Sequence, residues 1–210
     1  ILQSMQQLPA LNMAGFLFIG SDVGGFGADT TEDLMLRWLQ YSLFTPLFRN
    51  HSADGTRMQE LYRFDNVSAA AEMVKIRYCL IPYLYSEFLK AAINDEMMFK
   101  PLSFDFPDDD MAYVYLPEEM MLVRMRSYEN YETQILTKGH HYVDAALDEL
   151  VFFIRSNKAI PFGKPAGCTG KLSADTLKLI GYEAGTYTLY SDNGSSPNPE
   201  DSLNVTELLR

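Results

Sequence analysis

Cysteine is nearly missing from this chain, with two in 210 residues, and tryptophan occurs once. Cys79 and Cys168 stand far apart and outside any Cys-x-x-Cys spacing. A disulfide framework therefore does not organise the fold. Two isolated thiols fit a reduced, intracellular setting, with a single bridge as the alternative. Basic residues are scarce too: 17 Lys and Arg against 28 Asp and Glu leave a net charge of −11 and no basic stripe. That balance disfavours nucleic acid, whose phosphates call for clustered Lys and Arg. No apolar run approaches the length of a transmembrane helix, so no membrane span is expected. There is no internal repeat and no low-complexity tract. The chain opens on Ile1-Leu2-Gln3, with neither an initiator methionine nor a basic segment ahead of an apolar one. The expectation is a cytoplasmic chain whose N-terminus is missing.

What is present is globular. Apolar residues make up 47% and aromatics 13% of the chain, values that argue against disorder and allow one large domain or two small ones. Up to about Lys100 helices and strands alternate; beyond it short strands and turns dominate. Ser4 to Leu11 reads as the end of a helix. The apolar run Phe16 to Ile19 reads as a buried parallel strand that delivers polar groups to its C-terminal rim. Thr30-Thr31-Glu32-Asp33 has the form of a helix start, followed by Leu34, Trp38 and Tyr41 on one face, widened by Met35 and Leu39. Leu43 to Phe48 is a strand candidate, with Pro46 at its last turn ending the pairing. A long helix over Ser68 to Asn94 carries Met73, Ile76, Leu80, Leu84 and Phe88 at helical spacing, interrupted by Pro82. Beyond Pro101 the strand candidates are Met121 to Arg126, Glu132 to Thr137, Tyr142 to Ala145, Leu150 to Arg155 and Thr186 to Tyr190. Glycines 139, 163, 167 and 170 punctuate them, and the spacing suggests a β-sandwich.

The chemistry-bearing residues cluster after the first two strand candidates. Asp22, Gly24, Gly25 and Phe26 follow the first; Arg49 and His51 follow the second. An imidazole on a strand rim hydrogen-bonds a sugar hydroxyl or merely satisfies loop backbone, and position alone divides these evenly. Asp22 is either a catalytic carboxylate or an anchor for the site around it. Gly24 and Gly25 permit positive φ and close approach. Phe26 walls an apolar surface or belongs to the core, and Arg49 is expected to pair with a carboxylate near the rim. The acidic residues Asp105, Asp108, Asp109 and Asp110 lack the offsets and turn glycine of a calcium loop and read as a solvated turn. His140 and His141, adjacent on a strand, point to opposite faces and cannot readily share an ion. No metal and no cofactor is expected.

Gly-x-Asp-x-Gly-Gly-Phe, then Arg37-Trp38-Leu39-Gln40, then Pro46-Leu47-Phe48-Arg49-Asn50-His51, resembles glycoside hydrolase family 31, which contains α-glucosidases. The segments Ile76-Arg77-Tyr78 to Pro82-Tyr83-Leu84-Tyr85, Lys100-Pro101-Leu102 with Phe106-Pro107-Asp108-Asp109, and Tyr115-Leu116-Pro117-Glu118 extend the resemblance. So do Phe153-Ile154-Arg155-Ser156-Asn157 to Ile160-Pro161 and Leu189-Tyr190-Ser191-Asp192-Asn193-Gly194. Asn157 stands where the family has glycine, which asparagine's access to left-handed backbone tolerates. The resemblance implies the closing strand-helix units of a (β/α)8 barrel over residues 1–95, a proximal C-terminal β-sandwich over 96–162, and the start of a distal β domain over 163–210. The fold class is thus α/β plus all-β.

The resemblance also implies roles. His51, Asp22 and Phe26 would bind substrate, with Asp22 an anchor rather than a catalyst; Arg49, Gly24 and Gly25 would support them. Neither the Trp-x-Asp-Met-Asn-Glu nor the Gly-Asp-Asn segment of the family occurs here, so nucleophile and acid/base are expected upstream of Ile1. A further family segment, around Gly-Asp/Asn to Ala-Pro-Val, is absent between Ala112 and Tyr113. The expected parent is a retaining enzyme that cleaves terminal α-linked glucosyl residues from an oligosaccharide. The alternatives are a non-catalytic carbohydrate-binding or scaffold module, and α-xylosidase or α-galactosidase-like specificity.

Overall fold

The computed structural model describes residues 1–109, 116–166, 171–172, 176–182, 188–189 and 203–204. Helix α1 (Leu2–Met13) leads into a short parallel ladder, β1 (Asp22–Val23), whose partner β2 (Arg49–Asn50) follows helix α2 (Glu32–Ser42). A 3₁₀ turn, Leu61–Arg63, precedes the long helix α3 (Val67–Asn94), and a single turn, α4 (Leu102–Asp105), precedes the β region. There β3 (Met120–Met125) lies between β4 (Tyr131–Leu136) and β5 (Leu150–Arg155), all antiparallel. Next come β6 (Ala159–Phe162), β7 (Pro165–Ala166), β8 (Lys171–Leu172), β9 (Lys178–Gly181), β10 (Thr188–Leu189) and β11 (Leu203–Asn204). β6 pairs with β9, β7 with β8, and β10 with β11, each antiparallel. Helix and parallel ladder before Asn94, antiparallel strands after Met120: the change of hydrophobic period is a change of architecture.

Caps set the helix starts. Thr31 Oγ1 accepts from Leu34 N at 3.2 Å, with Glu32 and Asp33 in the first turn where the dipole favours acid. Asn66 Oδ1 accepts from Ala69 N at 3.4 Å to open α3, which ends on Asp95 in left-handed backbone at φ 55°. α3 buries Met73, Ile76, Leu80 and Leu84 as its spacing requires, and Pro82 lies inside it. The face of α2 is rotated from expectation. Met35, Leu36 and Leu39 are buried, followed by Leu43, whereas Leu34 is 36% exposed. Adjacent apolar residues offer two phases of one period, and packing against α3 selects between them.

Three expected strands are corrected. Phe16 to Ile19 forms none: Phe16 and Phe18 are 60% and 67% exposed, and the ladder begins only at Asp22. Apolar character marked the run, but backbone partners decide where pairing occurs, and those are Arg49 and Asn50. Leu43 to Phe48 is a turn, tied down by α3. Arg77 donates to Leu43 O at 2.5 Å and to Pro46 O at 3.1 Å, and burial lowers its guanidinium pKa to about 10. β2 starts after Pro46 rather than ending with it. Tyr142 to Ala145 forms no strand; side chains take carbonyls of residues 144 to 147 in place of a ladder. Arg37 donates to Ala145 O (2.8 Å) and Ala146 O (3.1 Å), Gln40 to Leu147 O (2.7 Å), and Arg124 to Asp144 O (2.5 Å).

These bonds fasten α2 to the β region. Beside them Glu149, 4% exposed, is held by Arg124 at 2.8 Å and Arg126 at 3.1 Å. Asn157 adopts φ 58°, the left-handed backbone its place in the motif demands. The acidic cluster is a solvated turn at Asp108, which is exposed, but not at Asp105 or Asp109. Asp105 lies on α4 between Lys100 (2.5 Å) and Arg155, whose hydrogen bonds and charges hold its carboxyl below the usual range, and Asp109 pairs with Lys138 at 3.0 Å. Asp110, Cys168, the Met111 to Tyr113 junction, Thr186, Tyr187 and residues 190 to 194 lie outside the described residues. Cys79 is a buried free thiol. Among the described residues no helix is long and apolar enough to cross a membrane.

Candidate functional site

A close backbone approach builds the site. Just ahead of the ladder, Leu47 N donates to Ile19 O at 3.1 Å, and a Cβ placed on Gly20 would sit 2.1 Å from Leu47 O. Only glycine permits that approach. Gly20→Ala is therefore expected to destabilise the chain by about 2 kcal/mol, through displaced backbone rather than lost burial. Urea titration of the variant checks this; a midpoint equal to that of the native chain would show that the two segments are not in contact.

Beyond Gly20 the register pairs Asp22 with Arg49 and Val23 with Asn50, so both strands deliver their following residues to the same end of the ladder. The carboxylate expected for Arg49 is Asp22: guanidinium Nε and Nη2 reach Oδ1 at 3.0 and 2.6 Å. Gly25 N donates to Asp22 O at 2.9 Å, closing a turn in which Gly24 and Gly25 hold φ of 91° and 90°. That turn lays Gly25 against Trp38, whose indole donates to Ser21 Oγ at 3.0 Å. It also sends out Phe26, half exposed, whose ring meets the exposed His51 with centroids 5.4 Å apart and planes tilted 37°. A backbone bond from Ala53 N to Phe26 O at 2.8 Å adds a rung between the two loops.

All six residues singled out in the sequence thus meet on one rim. One contributor was missed. Gln59, 4% exposed, directs its side-chain amide at oxygens of both loops. A lone glutamine between Met58 and Glu60 carries no period and no motif, so the sequence offers no signal for it. Chemically the rim presents an imidazole able to donate and accept, an aromatic face, and a carboxylate already paired with arginine. That set suits a neutral polyhydroxylated ligand with an apolar face. Among the described residues no group of three His, Cys, Asp or Glu side chains is placed to hold a metal ion.

The geometry has counterparts in known proteins. Residues 1–87 match the glycosyl hydrolases family 31 TIM-barrel domain. Alpha-glucosidase 2 of Bacillus thermoamyloliquefaciens is 30% identical over 213 aligned residues, covering 89% of this chain and 27% of the relative. Lysosomal alpha-glucosidase of Bos taurus is 37% identical over 112 residues, covering 52% of this chain and 12% of the relative. The chain thus spans well under a third of the length of either relative. A solved structure of a Flavobacterium johnsoniae family 31 dextranase complexed with glucose superposes with a TM-score of 0.68. It is 21% identical, and the match covers 92% of this chain and 28% of that one, which is a likeness of fold.

Proposed function

The chain belongs to glycoside hydrolase family 31, and from that premise we propose that it is part of an α-glucosidase-like enzyme. The enzyme would cleave terminal α-linked glucosyl residues from oligosaccharides with retention of configuration. The chain's share is one wall of the sugar subsite. His51 exchanges hydrogen bonds with a glucosyl hydroxyl, Phe26 walls the subsite, and Asp22, clamped by Arg49, anchors the loop that carries them. Gly24 and Gly25 let that loop turn close to the ligand. Nucleophile and acid/base are supplied by parts of the parent outside these residues, since retaining chemistry needs two carboxyl groups roughly 5 Å apart and Asp22 is already engaged.

The observation that carries this reading is the parallel register of Asp22 with Arg49, which brings the Phe26 and His51 rings together at one end of the ladder. Around it we assign residues 1–95 to the closing units of the (β/α)8 barrel, 96–162 to a proximal β-sandwich and 163–210 to the start of a distal β domain. The contact of Phe152 on β5 with Phe162 on β6, centroids 6.5 Å apart, supports two facing sheets. The buried free thiol of Cys79 supports a reduced, cytoplasmic setting.

Asp22→Asn in the full enzyme separates anchor from catalyst. An anchor whose ion pair is partly exposed is worth about 1 kcal/mol, so turnover of an aryl α-glucoside should fall about five- to tenfold with its pH optimum unmoved. A fall to the uncatalysed rate would make Asp22 catalytic and overturn the assignment.

A further inference from the structure

Gln59 is buried in a segment that is otherwise largely at the surface: His51, Asp54, Gly55, Arg57, Met58 and Glu60 are all exposed. Burying a primary amide is costly unless its hydrogen bonds are made, and here they are made on the donor side: Nε2 has partners, whereas Oε1 is buried without one among the described residues. Its Nε2 lies 3.2 Å from Val23 O, 3.3 Å from Gly25 O, 3.0 Å from Asn50 Oδ1 and 3.2 Å from His51 O. Two of these oxygens belong to the segment running out of β1 and two to the segment running out of β2. Three are backbone carbonyls, which only accept, so the orientation of the amide is settled by chemistry. Asn50 is oriented in turn, because its Nδ2 donates to Gln59 O at 2.7 Å. Gly24 leaves space that Met35 and the amide share: a Cβ there would lie 2.6 Å from Met35 Cε and 3.3 Å from Nε2.

We propose that Gln59 is a positioning residue of the sugar-binding rim: its amide locks the loop after β1 to the loop after β2, and so sets how Phe26 faces His51. The proposal rests on the reading of this rim as a sugar subsite, but the lock itself is independent of any ligand. Two N–H groups shared among four oxygens hold the carbonyls of Gly25 and His51 to a common point. Each of those residues lies within one position of a ring or is the ring residue itself. Gln59 need not touch the sugar; it acts through the two residues that do.

Two variants in the 210-residue chain test this. Gln59→Met keeps the bulk and removes every donor. Gln59→Glu keeps the shape but, when ionised, turns a negative oxygen on four acceptors. Protonated, it regains one donor, so its carboxyl pKa is expected to rise in the folded chain. A group with a raised folded pKa contributes stability below its unfolded value and loses it as pH climbs through the folded one. Asp22, Arg49 and His51 on the rim, and Asp29, Asp54, Arg57 and Glu60 on the loops, remain in every chain, so comparison with the native chain at each pH isolates position 59.

Trp38, the single tryptophan, packs on Gly25 and bonds Ser21, so its emission reports the loop after β1; the His51 imidazole proton resonance reports the loop after β2. At about pH 7.5 both variants should shift Trp38 emission to longer wavelength and displace the His51 resonance. At about pH 5, a range in which a carboxyl with a raised pKa is largely protonated, Gln59→Glu should return most of the way to native and Gln59→Met should not. Native-like signals from both variants at both pH values would overturn the proposal, as would equal displacement of both at both pH values. Methyl α-glucoside added to the native chain reads the other question. A shift of the His51 resonance supports the sugar reading; that reading fails if His51→Ala leaves the full enzyme's kinetics on an aryl α-glucoside unchanged, while the loop signals still decide Gln59.

Discussion

The purified 210-residue chain is expected to leave an aryl α-glucoside intact, and the enzyme that contains it to lose about 100-fold in kcat/KM on His51→Ala. Both expectations follow from one division of labour. The rim has an imidazole, an aromatic ring and a carboxylate committed to Arg49 at 2.6 Å, but no second carboxylate matching a family motif. His51 is exposed, so its removal disturbs little packing, and a loss of turnover would report lost contact with substrate. Hydrogen bonds to a glycosyl hydroxyl strengthen as the ring approaches an oxocarbenium-like transition state, which is why the loss should appear in kcat as well as in KM. Steady-state kinetics on the full enzyme decide the point. Unchanged constants for His51→Ala would keep the family and reduce His51 to a loop residue. Robust hydrolysis by the isolated chain would overturn the division altogether.

Phe162→Ala should unfold the chain more readily than any change at the rim, at a cost of about 3–5 kcal/mol, as for other buried aromatic truncations. Phe162 is fully buried on β6, in one core cluster with Met73, Ile76 and Leu80 of α3 and with Val123 and Met125 of β3. The next residue extends the seam, Gly163 N donating to Cys79 O on α3 at 2.9 Å. Removing the ring would open a cavity where helix and sheet meet, and neither side can close it without shifting a regular element. Phe153, on β5 and 40% exposed, supplies the control: Phe153→Ala should cost roughly 1 kcal/mol or less. Urea titrations with unchanged slopes would measure both. Equal midpoints for the two variants would mean that the helix–sheet seam is not part of the cooperative core.

Elements whose signals are local are legible in the residues alone. α3 declares itself through Met73, Ile76, Leu80 and Leu84, and α2 through its threonine cap. β5 matches to the residue because its flanking turns bound it. Asn157 reads as a left-handed position and is one, at φ 58°. The misreadings share a cause. Phe16 to Ile19, Leu43 to Phe48 and Tyr142 to Ala145 all look like strands by composition, yet a strand exists only where another backbone supplies hydrogen bonds. Arg77 and Pro46 settle the second case, and Arg37, Gln40 and Arg124 the third, across separations that no short window spans.

The rim divides in the same way. Its residue types are readable from Gly20 to Phe26 and from Arg49 to His51, because glycines, a carboxylate and an imidazole at the ends of two segments have few bland uses together. Their partners are not. That Arg49 clamps Asp22, that Phe26 faces His51, and that Gln59 holds both loops are facts of register and burial. By itself the sequence determined the three longer helices, the glycines where backbone must approach or turn, and the family these residues resemble. Only the tertiary structure decided which apolar face of α2 is buried, which carbonyls meet a ladder and which meet an arginine, and which amide locks the site. Propensity and periodicity act over a few neighbouring residues, whereas hydrogen-bond partners are chosen by the packing of the whole chain.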